Sequence, residues 1–427
     1  MVKTKNKIRK FGILGVSILL LSLLLLVIGC AGEPDVVPTI PEAKKPIVVS
    51  ISKDLTGPVS STQRYAYMAQ TDYIEWLNEQ GGIDGHEIEY VWADSQFSPA
   101  TVLSNWPKFV DAGTVLHFTC GTMEDATLRK QVDKLVIPLI SLNMSAPLLF
   151  PEPSYTYAQG NYLEWTATMV KWVTDKWKAD GKEGRPQIGF IGYQISSSTT
   201  VTEGLPLLED ELGFDFGPVE FTPMPITDVK VQVKRLDDAG CDYAIIFAMA
   251  GQPAIVLKDA ADMNVDVKFM AITPEKATAK LAPDLASGLA MFSSYAIWTE
   301  DDVPAIKLMK ELQLKYHGEV VEEDQYSSGW LGAVVGFEAI RIALQDVGID
   351  NLDGPAVQAA MHKIRDLDTG GLTLPISITH PNEREFSYSG KMVAVEEGEF
   401  VTVSDWITPP HVCGYEGKLI QLPYPAE

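Results

Sequence analysis

Residues 46–94 read PIVVSISKDLTGPVSSTQRYAYMAQTDYIEWLNEQGGIDGHEIEYVWAD. The run IVVSIS is short and β-branched, the mark of a strand. A polar turn, KDLTGPVS, follows it. Tyr65, Met68, Ala69, Tyr73, Trp76 and Leu77 then recur at three- and four-residue steps, which predicts a helix with one apolar face. Ser60 or Ser61 is placed to cap that helix and Gly81-Gly82 to end it. A second strand is expected at 88–92. Strands joined by a helical crossover lie parallel, so the stretch reads as a βαβ unit with a right-handed connection. In open parallel sheets, ligands sit beyond the carboxyl ends of the strands. Two loops hold that position here, 54–61 and 94–100.

The alternation continues outward from this unit. Strands are expected at 114–118 and 137–141 with a helix at 126–134 between them. Pro147, Pro151 and Pro153 then punctuate the chain, and a second series begins. It has helices at 165–179, 201–212, 228–239 and 253–263, and strands at 188–192, 243–248 and 267–271. Two consecutive α/β series of similar size imply two similar lobes. A strand at 289–295 and helices at 303–316, 326–347 and 354–364 come next. Short strands at 376–379, 391–395 and 400–405 follow, and the Pro- and Gly-rich last twenty residues are expected to be irregular.

The amino end is of another kind. Residues 1–10 carry five positive charges and no negative one, and an apolar run to Ile28 follows. A basic start, an apolar middle and small residues at the cut describe an export signal. Val27-Ile28-Gly29-Cys30 resembles a bacterial lipobox, whose Cys is lipidated; an uncleaved membrane anchor is the alternative. Residues 1–29 are thus assigned as signal, and 30–45, rich in Pro and polar residues, as a disordered tether. Both readings put the bulk of the chain outside the cytoplasm.

The remaining ~380 residues suit two domains rather than one. Without the signal the chain has 29 basic residues against 57 acidic, a balance of −28. Such a surface argues against nucleic acid as a partner and against anionic lipid bound by the protein surface itself. Beyond Cys30 there are three cysteines, Cys120, Cys241 and Cys413, with no metal-binding spacing. Cys120 follows an apolar strand and reads as a buried thiol, and nothing in the spacing supports a Cys241–Cys413 bridge. The six histidines form no HExxH pattern, and there is no GxSxG elbow or phosphate-binding loop. Neither an enzyme nor a cofactor is indicated.

DLTGPVS, NEQGGIDGHEIEYVWAD, DAGTVLHFTCGTMED and IPLISLNMSAP, in that order, resemble the first lobe of the type I periplasmic binding proteins. The nearest group is the leucine/isoleucine/valine-binding-protein-like receptors of ABC importers. IGFIGY, CDYAIIFAMAGQPAIVLKDAADM and FMAITPE resemble the second lobe, and SSGWLGAVVGFEAIRIALQDVG through VEEGEFVTVSDW the final third. The likeness spans about residues 46–406, and the order and spacing of the motifs carry it. It implies an α/β fold of two Rossmann-like lobes with parallel sheets and a three-strand hinge. Lobe 1 would take 46–157 plus 287–372, and lobe 2 would take 158–286 plus 373–427. The hinge would fall near 155–159, 293–298 and 372–375.

The resemblance also assigns a pocket. Its hydroxyl-rich carboxylate-binding loop corresponds to Gly121-Thr122-Met123-Glu124-Asp125, where this chain has two acids in place of Ser. Acids there repel a free carboxylate and suit an amide, a urea-like group or an amine. Alternatively, Asp125 caps the following helix and Glu124 faces solvent. In the next loop, Ser145 stands where the family has a ligand-binding Thr, beside Asn143 and the Met144 carbonyl; a local turn before Pro147 is the alternative. Ser61 and Thr62 lie nearest the cleft in the opening turn, unless they only cap the helix. From lobe 2 come Tyr193, Ser197, Gly251 with its neighbour Gln252, and Glu275. Glu275 aligns with the family's ammonium-binding acid, with a helix-starting acid behind Pro274 as the alternative. The family often has an aromatic residue near Ser196–Ser198, which this chain lacks. Trp298 and Trp330 read as core.

The expected function is that of a lipid-anchored receptor at the cell membrane that hands an amino acid, amide or urea-like ligand to an ABC permease. A ligand-sensing ectodomain partnering a membrane signalling protein is the alternative, and a hydrolase lacks its nucleophile and metal patterns.

Overall fold

In the computed structural model, β1 (Ile47–Lys53) and β2 (Ile88–Asp94) pair in parallel, from Ile47–Ile88 through Lys53–Asp94, as the crossover requires. Helix α1 (Ser60–Glu79) joins them. Neither serine caps it: the N-cap is Val59, whose own side chain offers no capping hydrogen bond. Asp54 holds the turn instead, its carboxylate accepting the Gly57 N–H at 2.5 Å and the Val59 N–H at 2.8 Å. The glycine stop is obligatory. Gly82 has φ +71°, and a Cβ there would lie 2.0 Å from the His86 carbonyl oxygen.

The structure describes residues 44–142, 145–150, 152–408, 410–415 and 418–422. The expected signal, Cys30 and the tether up to residue 43 lie outside them. Next come α2 (Pro99–Asp111), β3 (His117–Phe118), α3 (Thr122–Leu135), β4 (Leu139–Ile140), α4 (Ala146–Leu149) and β5 (Thr156–Tyr157). They complete a parallel sheet in the order β2-β1-β3-β4-β5. The second series runs α5 (Tyr162–Ala179), β6 (Gln187–Tyr193), α6 (Ser196–Gly204), α7 (Glu209–Leu212), β7 (Asp215–Thr222), α8 (Lys230–Asp238), β8 (Tyr243–Phe247), α9 (Pro253–Met263), β9 (Lys268–Ala271), α10 (Lys276–Leu281) and β10 (Ala290–Ser293). Helices α11 (Pro304–His317), α12 (Asp324–Val347) and α13 (Gly354–Met361) pack on the first sheet. Strands β11 (Lys391–Glu396) and β12 (Glu399–Thr402) return to the second and close it antiparallel, in the order β12-β11-β10-β9-β8-β6-β7.

Both faces of each sheet are covered. In β4, Ile140 joins the core under α12 while Leu139 joins the one under α2 and α3, because neighbouring strand residues point to opposite faces. Helices α1 and α12 cross closely: a Cβ on Gly329 would stand 2.6 Å from the Ala66 carbonyl oxygen.

Three expectations need correction. Strand β7 went unread because its sequence, DFGPVEFT, contains Gly-Pro; it is an edge strand, where a missing N–H is tolerated. Residues 376–379 form no strand, only an isolated bridge between Leu367 and Ile376. The tail is not wholly irregular, since β13 (Val412–Tyr415) and β14 (Lys418–Gln421) form a hairpin. Cys120, Cys241 and Cys413 are all buried, unbridged thiols.

The two halves are joined by three segments lying side by side. Ala158 N–H donates to Arg384 O at 2.9 Å, Phe386 N–H to Ala158 O at 2.8 Å, and Ser387 N–H to Gln159 O at 3.0 Å. Ser294 Oγ–H reaches Gln159 Oε1 at 3.2 Å. The third segment lies later than the expected 372–375, because Leu372, Ile376, Ile378 and Phe386 still pack in the first core.

Candidate functional site

A cleft of about 470 Å³ opens between the halves, at the carboxyl ends of strands from both sheets. The first half contributes Val59 and Gln63 around the start of α1, Phe97 and Pro99 after β2, and Cys120, Gly121, Thr122, Met123, Ala126 and Thr127 around the start of α3. The second contributes Tyr162 at the start of α5, Tyr193, Ile195, Ser196 and Ser197 between β6 and α6, Met224 after β7, and Phe247 and Met249 at the end of β8. Three methionines and four aromatic rings, Phe97, Tyr162, Tyr193 and Phe247, supply the bulky part of the walls. No Lys, Arg, His, Asp or Glu is among these lining residues.

Of the residues singled out from sequence, Thr122, Tyr193 and Ser197 line this cleft. The two acids do not. Helix α3 begins at Thr122, four residues earlier than expected, so Glu124 and Asp125 lie in its first turn rather than in a loop. Helical phase turns Met123, Ala126 and Thr127 toward the cleft and buries Glu124, Asp125, Leu128 and Val132 on the other side. Glu124 Oε2 accepts the Cys120 N–H at 2.9 Å, and its Oε1 lies 3.3 Å from His117 Nε2. Burial opposes ionisation of Glu124, but the hydrogen bond and charge of His117, with the Cys120 N–H, hold its carboxyl below the usual range. Asp125 Oδ2 accepts Ser141 Oγ–H at 2.5 Å, and burial pushes its carboxyl up to about 7.

Lys53 lies beneath them, fully buried, donating to the carbonyls of Thr119 and Ser52; burial lowers its ammonium to about 8 against the pull of Glu124. These charges brace the floor of the cleft from behind. The two acids therefore meet no ligand in the cleft and do not select an amide or amine.

Ser61 is exposed and Thr62 Oγ–H bonds the Val59 carbonyl at 3.0 Å; Val59 and Gln63 are the α1 residues at the cleft. Ser145 is 1% exposed and outside the lining, and Asn143 and Met144 lie outside the described residues. Glu275 is spent on a turn. Its carboxylate accepts the Ala250 N–H at 2.8 Å and the Gly251 N–H at 3.0 Å, where both residues have positive φ. Burial raises that carboxyl to about 7 in spite of the two donors. Tyr193 Oη accepts the Met249 N–H at 3.1 Å, and burial moves its hydroxyl up to about 12. Trp298 and Trp330 are core residues, as expected.

Phe97 and Met123 fall in stretches read from sequence as loops at the cleft, though neither side chain was assigned to ligand, and Tyr162, Met224, Phe247 and Met249 were not singled out. Strand-end position was the available signal for Phe97, Phe247 and Met249. Met224 follows the unread β7, and Tyr162 precedes the expected start of its helix. Gln63, Thr122, Thr127, Tyr162, Tyr193, Ser196 and Ser197 bring polar side chains to the lining, and two helix starts open onto it. Neither α3 nor α6 has a side-chain N-cap bond, and Thr122 Oγ1 is buried with no hydrogen-bond partner among the described residues. Helix starts present unpaired N–H groups and a positive dipole end. The arrangement can hold an apolar body and receive an acceptor oxygen at either helix.

The sequence profile of the family described as "Periplasmic binding protein" matches residues 46–398. No curated relative matches the chain. Among solved structures, the fold is similar to a branched chain amino acid ABC transporter from Thermus thermophilus with bound valine. That likeness has a TM-score of 0.77 and 22% identity, over 86% of this chain and 97% of that one. A fatty acid ABC transporter substrate-binding protein from Thermomonospora curvata gives 0.75 at 18% identity, over 89% and 95%. An ABC transporter substrate binding protein from Aeropyrum pernix gives 0.76 at 18%, over 86% and 97%.

Proposed function

We propose, from the premise that this chain belongs to the periplasmic binding protein family, that it is the solute receptor of an ABC importer and captures a small ligand with an apolar body and no ammonium group. The family role is solute binding outside the cytoplasm, not catalysis. The observation that carries the ligand reading is the uncharged lining of the cleft. A free amino acid brings an ammonium that no lining carboxylate meets, and an unpaired charge taken out of water is costly. Methionine and aromatic walls suit a hydrocarbon or aromatic body. The helix starts of α3 and α6 and the Thr122 hydroxyl suit a carboxylate or amide oxygen. Of the ligand classes considered from sequence, amides remain and amino acids recede; simple carboxylic acids join them.

Capture follows from the hinge. Each half carries part of the lining, so contacts to both halves exist only when they approach. Ligand then shifts the population toward closure by its differential affinity. Micromolar binding needs roughly −8 kcal/mol. The closed form would dock on the permease, and lipidation of Cys30 would keep the receptor at the membrane.

The test is calorimetry and thermal shift across matched series: aromatic and aliphatic acids, their amides, and the corresponding amino acids. Acids or amides should bind and stabilise at micromolar concentration. Preference for an amino acid over the same skeleton lacking the amine would overturn the ligand reading, and no binding by any class would overturn the receptor reading.

A further inference from the structure

Away from the cleft, three chain segments bring Glu164, Glu385 and His411 together, the first of them far in sequence from the other two. Glu164 stands in the first turn of α5, Glu385 in the third connecting segment, and His411 just before β13. They are 0%, 1% and 1% exposed. One ligand-type atom from each lies within 4.8 Å of the other two. His411 Nδ1 is 2.6 Å from Glu164 Oε1 and 3.6 Å from Glu385 Oε2. Glu385 Oε1 accepts Asn161 Nδ2–H at 2.9 Å, whereas Glu385 Oε2 has no hydrogen-bond partner among the described residues. The neighbouring cation does not compensate. Arg384 spends its guanidinium on the carbonyls of Ser154, Pro381 and Glu383.

Two carboxyl groups and an imidazole are thus packed in a buried site, where Glu385 Oε2 has only His411 Nδ1 at 3.6 Å and the Glu164 carboxyl beside it. Buried carboxylates need a proton, a cation or several donors. The donor set, one imidazole nitrogen and carboxylate oxygens, fits a Zn²⁺-class ion, for which a three-residue set leaves one further position. Asn161 is placed to orient Glu385 from behind, as partners of metal ligands do. We propose that Glu164, Glu385 and His411 form a structural binding site for a divalent Zn²⁺-class cation that fastens the C-terminal hairpin to the hinge. A site this enclosed takes up its ion as the chain folds. The assignment is independent of what the cleft binds.

The test uses the full chain, unfolded in denaturant and refolded with either Zn²⁺ or EDTA, then dialysed and measured by elemental mass spectrometry. The Zn²⁺ sample should retain about one ion per chain and melt several degrees higher than the EDTA sample. Glu385→Gln keeps the shape and an acceptor for Asn161 but removes the anionic ligand; it should cut retained zinc by about tenfold or more. Should that variant not fold, zinc-edge absorption on the wild-type protein serves instead, with nitrogen and oxygen neighbours expected and no sulfur. Less than about a tenth of an ion retained by the wild type, full zinc retained by folded Glu385→Gln, or a sulfur neighbour would each overturn the site. The first result would leave shared protons as what holds the cluster.

Discussion

Glu275 reaches back to the loop after β8 and accepts the N–H of Gly251 at 3.0 Å and of Ala250 at 2.8 Å. The acid that the family resemblance would assign to a ligand ammonium is here occupied by backbone. Glu275→Ala leaves one buried and one half-buried donor unpaired, and should cost about 1–3 kcal/mol of stability. Affinity for a cleft ligand lacking an amine should change far less. Denaturant melts and calorimetry on the same preparation check both halves of this expectation.

Burial lifts the Asp324 carboxyl from 3.8 to about 8, against the Tyr295 hydroxyl donating to it at 2.7 Å. The folded state then holds this proton over a range where the unfolded chain releases it. The folded state binds more protons, so stability falls as pH rises between about 4 and 8. Asp324→Asn removes this contribution, and its stability should vary less with pH across that window. Chemical unfolding at several pH values reads the difference directly.

Thr122→Val removes a hydroxyl with no internal partner while keeping the shape of the α3 start. Binding of an acid or amide should weaken about fivefold, the worth of one hydrogen bond near 1 kcal/mol. The melting temperature of the ligand-free protein should not fall.

Met123→Glu places a carboxylate in a cleft otherwise lined without charge. Carboxylic acids should lose at least about tenfold in affinity, through repulsion in a partly desolvated site. Amine-bearing analogues should lose less or gain. Competition binding with matched acid and amine pairs measures that reversal.

Gly329→Ala puts a methyl 2.6 Å from the Ala66 carbonyl oxygen, so α1 and α12 must separate. Overpacking of this kind costs about 1–3 kcal/mol. Thermal unfolding checks it.

The parallel βαβ opening, the two α/β series and the cleft at the strand ends were legible because strand and helix periods are local. The acids at 124 and 125 were misplaced by one local decision. Starting α3 at Ala126 left them in a loop, whereas starting it at Thr122 turns them inward. Helical phase is unforgiving: a shift of two residues rotates a side chain to the far face. Gln63 was passed over for Ser61 and Thr62 for the same reason. Met224 was hidden behind a strand whose Gly-Pro disguises it, and in the Glu164–Glu385–His411 cluster Glu164 lies more than 200 positions from the other two, with no spacing to read.

Three segments side by side join the halves: Ala158 and Gln159 bond residues 384–387 backbone to backbone, and Ser294 is tied to both neighbours through the Gln159 and Ser387 side chains. A single thread would let the jaws swivel freely. A ribbon bends readily across its flat side and resists twisting, because twisting shears the bonds between its edges. In the proposed closure, such a ribbon would bring Met123 and Thr127 toward the same opposing wall of Tyr193 and Met249 at each capture.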